Sequence, residues 1–168
     1  MTERLAEIKD HLTSEFRGGV RKQRADDIVI VSAHRSAIGK GFKGSFKDLN
    51  TDYLVLHFLN EFFDRLPSSI ADHKELIGEV TCGNVLNMGA GATEHRAACL
   101  AAGIPFTTPF VAVNRQCSSG LTAVNDIANK IRVGQIDIGL ALGVESMSKN
   151  YGAVNPLGSI SDELKQDP

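Results

Sequence analysis

Four short apolar runs, at residues 28–31, 79–86, 109–114 and 136–144, alternate with stretches whose apolar residues recur every three or four positions. A run such as Ile28-Val29-Ile30-Val31 has no polar face, so it reads as a strand covered on both sides. Residues 50–66 place Leu54, Phe58, Phe62 and Leu66 four apart, with Pro67 beyond the end, and predict a helix. Residues 93–103 predict a second helix, capped by Thr93 and closed by Gly103. Residues 121–133 predict a third, with Leu121, Val124, Ile127, Ala128 and Ile131 on its packing face and Gly134 at its end. Buried strands alternating with helices define an α/β layered domain with a largely parallel sheet. The glycines within residues 136–144 mark places where another element packs close.

Composition removes several classes of function. The chain has 168 residues, about one domain's worth, of which 42% are hydrophobic and 23% charged, enough for an ordinary core. A formal net charge of -2 lacks the basic footprint of a nucleic-acid-binding protein. No apolar run approaches the roughly 20 residues that cross a bilayer, so no membrane-spanning helix is expected. The 3 cysteines, Cys82, Cys99 and Cys117, are widely spaced with no CxxC pair, and the 5 histidines have no metal-ligand spacing. No disulfide framework and no metal centre is expected, and the chain reads as a reduced intracellular protein. His34, His57, His73 and His95 read as structural or surface residues.

Residues 1–25 differ from the rest. Leu5, Ile8, Leu12 and Phe16 form one helical stripe, Gly18-Gly19 stops it, and a basic linker follows at residues 20–25. Residues 14–24 read as a solvated spacer. Lys40, Lys43 and Lys47, set among glycines, admit a phosphate-binding reading, but a solvated loop is the simpler account.

The richest chemical signal is Asn114-Arg115-Gln116-Cys117-Ser118-Ser119-Gly120-Leu121. A strand ends at Asn114 and a helix is expected to begin about four residues after the cysteine, so Cys117 sits in a tight strand-to-helix turn. Backbone N–H groups and the positive end of a helix dipole stabilise a thiolate there, and the same N–H groups stabilise an oxyanion on an attacked carbonyl. Ser118, Ser119 and Gly120 leave room for an acyl group. Arg115 is the only charged residue between Ala97 and Asn125; it either favours the thiolate or makes a structural ion pair. Cys117 as a small hydrophobe in a core turn is the other reading that spacing alone permits. Cys82, in a strand, and Cys99, in a helix, read as core packing.

Residues 113–131, VNRQCSSGLTAVNDIANKI, resemble the acyl-enzyme signature of the thiolases without an evident exception. Residues 29–48, 79–105 and 134–148 resemble other segments of that family, most closely its peroxisomal 3-ketoacyl-CoA branch. The resemblance implies a thiolase-like layered lobe over residues 26–148: a mixed, mostly parallel sheet of about five strands with helices on both faces. It implies that residues 149–168 begin a loop region and that the chain is the front portion of a two-lobed enzyme, with an apolar face uncovered. Cys117 would be the nucleophile that carries the acyl thioester, its own backbone N–H would supply part of an oxyanion hole, and coenzyme A would be co-substrate with acyl-CoA. A homodimer is implied, and no permanently bound cofactor. The family's Gly-His-Pro, Cys-x-Gly-x-Gly and Asn-Glu-Ala-Phe motifs do not occur in these 168 residues.

Arg4-Leu5, five residues, then His11-Leu12 matches a type-2 peroxisomal import signal. Seven residues are close to two helical turns of about 3.6 residues, so Arg4 stacks on His11 and Leu5 on Leu12, a face for an import receptor. Glu3, Glu7, Asp10 and Glu15 disfavour a mitochondrial presequence. Residues 1–25 are therefore expected to form a targeting helix and linker, and a peroxisomal location follows. Two other readings are a catalytically silent import or dimerisation fragment, and a ketoacyl-synthase-like condensing enzyme.

Overall fold

Strand β1 (Glu79–Gly83) is buried at every position, which requires neighbours on both edges and both faces. In the computed structural model, which describes residues 26–151 and 161–162, β1 is flanked by β2 (Phe110–Val113) and β3 (Gly139–Gly143). The sheet is three-stranded and wholly parallel, in the order β2-β1-β3. Val80 lies opposite Phe110 on one side and Leu140 on the other.

Alternation along β1 sends Val80 and Cys82 to one face and Glu79, Thr81 and Gly83 to the other. On the first face Val80, Cys82 and Leu142 join Val55, Leu59 and Phe63 of helix α1 (Thr51–Asp64), Ala98 and Cys99 of helix α2 (Ala92–Ala101) and its C-cap Ala102 in one core. Removing a side chain such as Leu59 from water contributes about 1.5–3 kcal/mol. The second face receives helix α3 (Ser119–Arg132) through Ala123 and Ile127, and Lys130 reaches the buried Glu79 carboxylate. Helices thus cover both faces. The chirality of parallel crossovers explains the arrangement: the step from β1 to β2 and the return from β2 to β3 run in opposite directions, so their helices take opposite faces.

Several expectations are corrected. Residues 28–31 form no strand: the run pairs with neither edge of the sheet, so its side chains gain no cover and Val29, Ile30 and Val31 are exposed. The described residues hold three strands where about five were expected. In α1 the deepest row is Thr51, Val55, Leu59 and Phe63, while Phe58, Phe62 and Leu66 lie partly buried beside it. Both rows are largely apolar, and the buried one is the row that packs with helix α2 in the core shared with Val80 and Cys82. Thr93 caps nothing: Gly91 holds the N-cap position of α2 with φ 68°, and a Cβ there would lie 2.2 Å from the His95 ring. Helix α3 starts at Ser119, two residues earlier than expected, and buries Ser119, Ala123 and Ile127 while Leu121 and Val124 are exposed. Its packing row is set by glycines of the sheet, since a Cβ on Gly139 would press 2.6 Å from Ile127. Residues 84–86 and 136–138 lie outside the strands predicted to include them. Residues 1–25, with the import residues Arg4, Leu5, His11 and Leu12, lie outside the described residues, as does most of 149–168.

His95 is fully buried where β1, α1 and α2 converge. Its Nε2 is 2.9 Å from Thr51 Oγ1 and its Nδ1 3.8 Å from Cys82 Sγ. Burial lowers its pKa from the ordinary value, against the opposing pull of Glu94, Asp52 and Glu145. A histidine that folds neutral stabilises fully above its unfolded pKa, about 6.5, and that stability is lost as pH falls through the depressed folded value. The urea midpoint should therefore fall between about pH 7 and about pH 5 in the wild-type chain and flatten in His95→Gln, which keeps a neutral amide. Parallel slopes in the two proteins would remove His95 as the cause.

Candidate active site

Loops from all three strands meet at the carboxyl end of the sheet, the end at which open α/β sheets bind their ligands. The loop after β2 carries Cys117, one residue before the N-cap position of α3 occupied by Ser118. Cys117 is exposed, whereas Cys82 and Cys99 are fully buried. Burial pushes the Cys82 thiol up to about 12, with Cys99 and Glu145 adding to the rise, and the Cys99 thiol up to about 11. The fold thus leaves one of the three thiols open to a reactant, and the strand and helix placement of the other two is as expected.

The turn around Cys117 is held on both sides. Gln116 has φ 51°, a left-handed conformation that costs a non-glycine residue roughly 1–3 kcal/mol. Its N–H donates to Asn114 Oδ1 at 3.0 Å, and its carbonyl accepts from Ser119 Oγ at 2.7 Å. Arg115 N–H donates to the same Ser119 hydroxyl at 2.8 Å, and Ser118 Oγ donates to the Arg115 carbonyl at 3.0 Å. The Arg115 side chain makes no ion pair among the described residues, so the structural-pair reading has no partner there.

A second set of contacts joins this turn to the other strand ends, and sequence reasoning did not single it out. Glu145, just past β3, accepts hydrogen bonds from Val85 N–H at 2.9 Å and from Asn84 Nδ2 at 3.1 Å. Asn84 Nδ2 also donates to the Val144 carbonyl at 2.9 Å. Asn114 Nδ2 donates to the Val85 carbonyl at 3.2 Å, so the residue that braces Gln116 is itself tied to the loop after β1. Asn87 donates to Thr51 Oγ1 at 2.8 Å and to Glu94 at 2.9 Å, and the latter bond holds the Glu94 carboxyl below its usual range. The available sequence signal was positional: Asn84, Asn114 and Glu145 each stand one or two residues past a strand.

Two clefts open elsewhere. One of about 470 Å³ lies between residues 34–41 and the end of β3, lined among others by His34, Lys40, Leu54, Ala141 and Met147. The other, about 400 Å³, lies between residues 34–37 and α1. Cys117 lines neither. Lys40, Lys43 and Lys47 are exposed, with Lys47 paired to Asp48 at 2.7 Å, in keeping with a solvated loop. His34, His57 and His73 are exposed or partly so, and His95 is structural. No group of three or more potential metal ligands occurs among the described residues.

Residues 28–166 match the thiolase N-terminal domain family. The chain is 67% identical over 174 aligned positions to the peroxisomal 3-ketoacyl-CoA thiolase of Saccharomyces cerevisiae, an alignment covering 99% of this chain and 42% of that protein. It is 47% identical to peroxisomal 3-ketoacyl-CoA thiolase A of Rattus norvegicus, over 83% of this chain and 31% of that one. The crystal structure of the dimeric peroxisomal thiolase of Saccharomyces cerevisiae superposes with a TM-score of 0.84 at 72% identity, covering 88% of this chain and 38% of that one. The chain therefore spans about a third to two fifths of the length of these relatives.

The exposure difference among the thiols gives a direct check. Iodoacetamide at neutral pH should alkylate Cys117 on the order of a hundredfold or more faster than Cys82 or Cys99 in the folded chain. Addition of denaturant should bring the three rates together. Comparable rates before denaturation would contradict the buried placement of Cys82 and Cys99.

Proposed function

The chain belongs to the thiolase family, and on that premise we propose that it carries the nucleophilic half of a 3-ketoacyl-CoA thiolase, an acetyl-CoA C-acyltransferase of fatty-acid β-oxidation. One observation carries the reading: Cys117 is exposed in a braced turn at the start of α3, while the other two thiols are buried. The Cys117 thiolate attacks the 3-keto carbonyl of a 3-ketoacyl-CoA. The bond between C2 and C3 breaks, and its electron pair leaves with the acetyl-CoA fragment, which takes up a proton. The shortened acyl chain stays on Cys117 as a thioester until the thiol of coenzyme A attacks it, forms acyl-CoA and returns the thiolate. Coenzyme A is thus a co-substrate rather than a resident cofactor.

Charge develops on the carbonyl oxygen during both attacks. The helix start favours that charge through its positive dipole end, and the Cys117 N–H is the donor we assign to the oxyanion. The relatives' peroxisomal names and the Arg4, Leu5, His11, Leu12 pattern support import into peroxisomes through a type-2 signal receptor. The dimeric state named for the yeast structure supports a homodimer.

Of the groups the reaction needs, this chain holds the nucleophile, so the step to examine is acyl transfer onto Cys117. Incubation with acetyl-CoA followed by peptide mass spectrometry should place one acetyl group on the Cys117 peptide. Added coenzyme A should remove it, and Cys117→Ala should abolish it. An acetyl group on Cys82 or Cys99 instead, or none on Cys117 where iodoacetamide still alkylates it, overturns the assignment. For targeting, a fluorescent protein carrying residues 1–25 should enter peroxisomes, and Arg4→Ala or His11→Ala should leave it cytosolic. Undiminished import of both variants would dismiss the signal.

A further inference from the structure

We propose that Ser119 is a positioning residue for Cys117, its hydroxyl pinning the turn in the one shape that aligns thiol and backbone N–H with an acyl carbonyl. The inference rests on the reading of Cys117 as the acyl-accepting nucleophile. Ser119 is buried, at 4% exposure, and its hydroxyl is used twice. It accepts the Arg115 N–H at 2.8 Å and donates to the Gln116 carbonyl at 2.7 Å. Those two residues immediately precede Cys117, so the single hydroxyl ties down the segment that leads into the thiol. The Ser119 N–H adds a third tie to the Gln116 carbonyl at 3.1 Å.

The direction of these bonds separates turn shaping from helix capping. A serine that serves a helix start accepts an N–H from the turn ahead of it. Here no side-chain cap bond serves the N-cap position of α3, and the hydroxyls of Ser118 and Ser119 both reach backward, to residues 115 and 116. The ties serve the segment before the helix, where Gln116 is held at φ 51°. An unsupported left-handed glutamine relaxes towards the right-handed region, and Cys117 turns with it. Asn114 closes the other side by accepting the Gln116 N–H at 3.0 Å.

The pin has a fixed base. A Cβ on Gly83 would lie 2.4 Å from the Ser119 carbonyl carbon, so β1 meets the helix start backbone to backbone. A Cβ on Gly143 would lie 3.4 Å from the Gly120 Cα, a looser contact that extends the approach to β3. The helix start cannot slide along the sheet without collision, and Ser119 transmits that rigidity to the turn.

The test compares two reactions of the same thiol in the 168-residue chain. Alkylation by iodoacetamide needs an accessible thiolate but no aligned carbonyl, whereas acyl transfer from acetyl-CoA needs the carbonyl aligned with the N–H groups. Ser119→Ala should leave the alkylation rate within about twofold and lower the maximal acylation rate about tenfold or more. The acetyl-CoA concentration giving half that rate should hold. Asn114→Ala, at a more exposed position, should show the same split and carries the test if Ser119→Ala does not fold. Equal loss of alkylation and acylation, or no loss in either variant, overturns the positioning role and leaves the nucleophile assignment intact. A wild-type chain that is alkylated at Cys117 but never acylated overturns the nucleophile assignment and this inference together.

Discussion

The backbone contact between β1 and the first turn of α3 is the constraint on which the site depends. At Gly83 there is no space for a side chain, because the Ser119 carbonyl and the Gly120 nitrogen occupy it. The axis of α3 therefore approaches the sheet more closely at this end than ordinary side-chain packing allows, and Gly143 against Gly120 continues the approach onto β3. Helix position, turn shape and thiol exposure follow in that order. With the helix start seated on β1, the residues between Val113 and Ser119 must turn sharply, and the left-handed conformation of Gln116 absorbs the turn. Cys117 is then held at the end of the sheet and away from the core.

The element types were legible because helical repeats and buried runs leave different marks, and helices α1 to α3 and strands β1 to β3 fall where such marks lie. Residues 28–31 show the limit of that reading. Four apolar residues declare a preference for burial, but strand formation needs a neighbour to complete the hydrogen-bond ladder, and no local pattern names that neighbour. The packing rows of α1 and α3 failed for a related reason. Helix α1 offers two adjacent, largely apolar rows, and the partners that decide between them, helix α2 foremost, lie far away in sequence. In α3 the chosen row is the one with small residues, Ser119 and Ala123, because the sheet presents Gly83 and Gly139 to it.

At the site, the nucleophile was legible and its support was not. Cys117 declares itself by lying between a strand and a helix among small residues, a pattern written in contiguous positions. Its braces are spread over residues that look ordinary in isolation. Asn114 and Ser119 are polar residues near a turn, where such residues are common. Glu145 stands two residues after a strand, and nothing near it in sequence shows that it will accept the Val85 N–H. His95 carries no local sign of burial; its position follows from Gly91, whose lack of a Cβ admits the ring.

The same burial that stabilises the sheet also sorts its thiols by reactivity. Cys82 alternates inward from β1 and Cys99 lies on the inner row of α2, so both exchange water for hydrocarbon and neighbouring sulfur, and their thiolates become costly. Neither residue needs a protecting group or a partner to stay inert. Cys117 escapes that fate because it lies outside the buried layer, two residues before the buried Ser119. The chain around it is then polar, with Asn114, Gln116, Ser118 and Ser119 satisfying one another's backbone groups rather than relying on the core. Selectivity for one thiol among three therefore arises from where the core stops, and the hydrogen-bonded turn keeps the exposed thiol in a defined orientation once the core no longer does so.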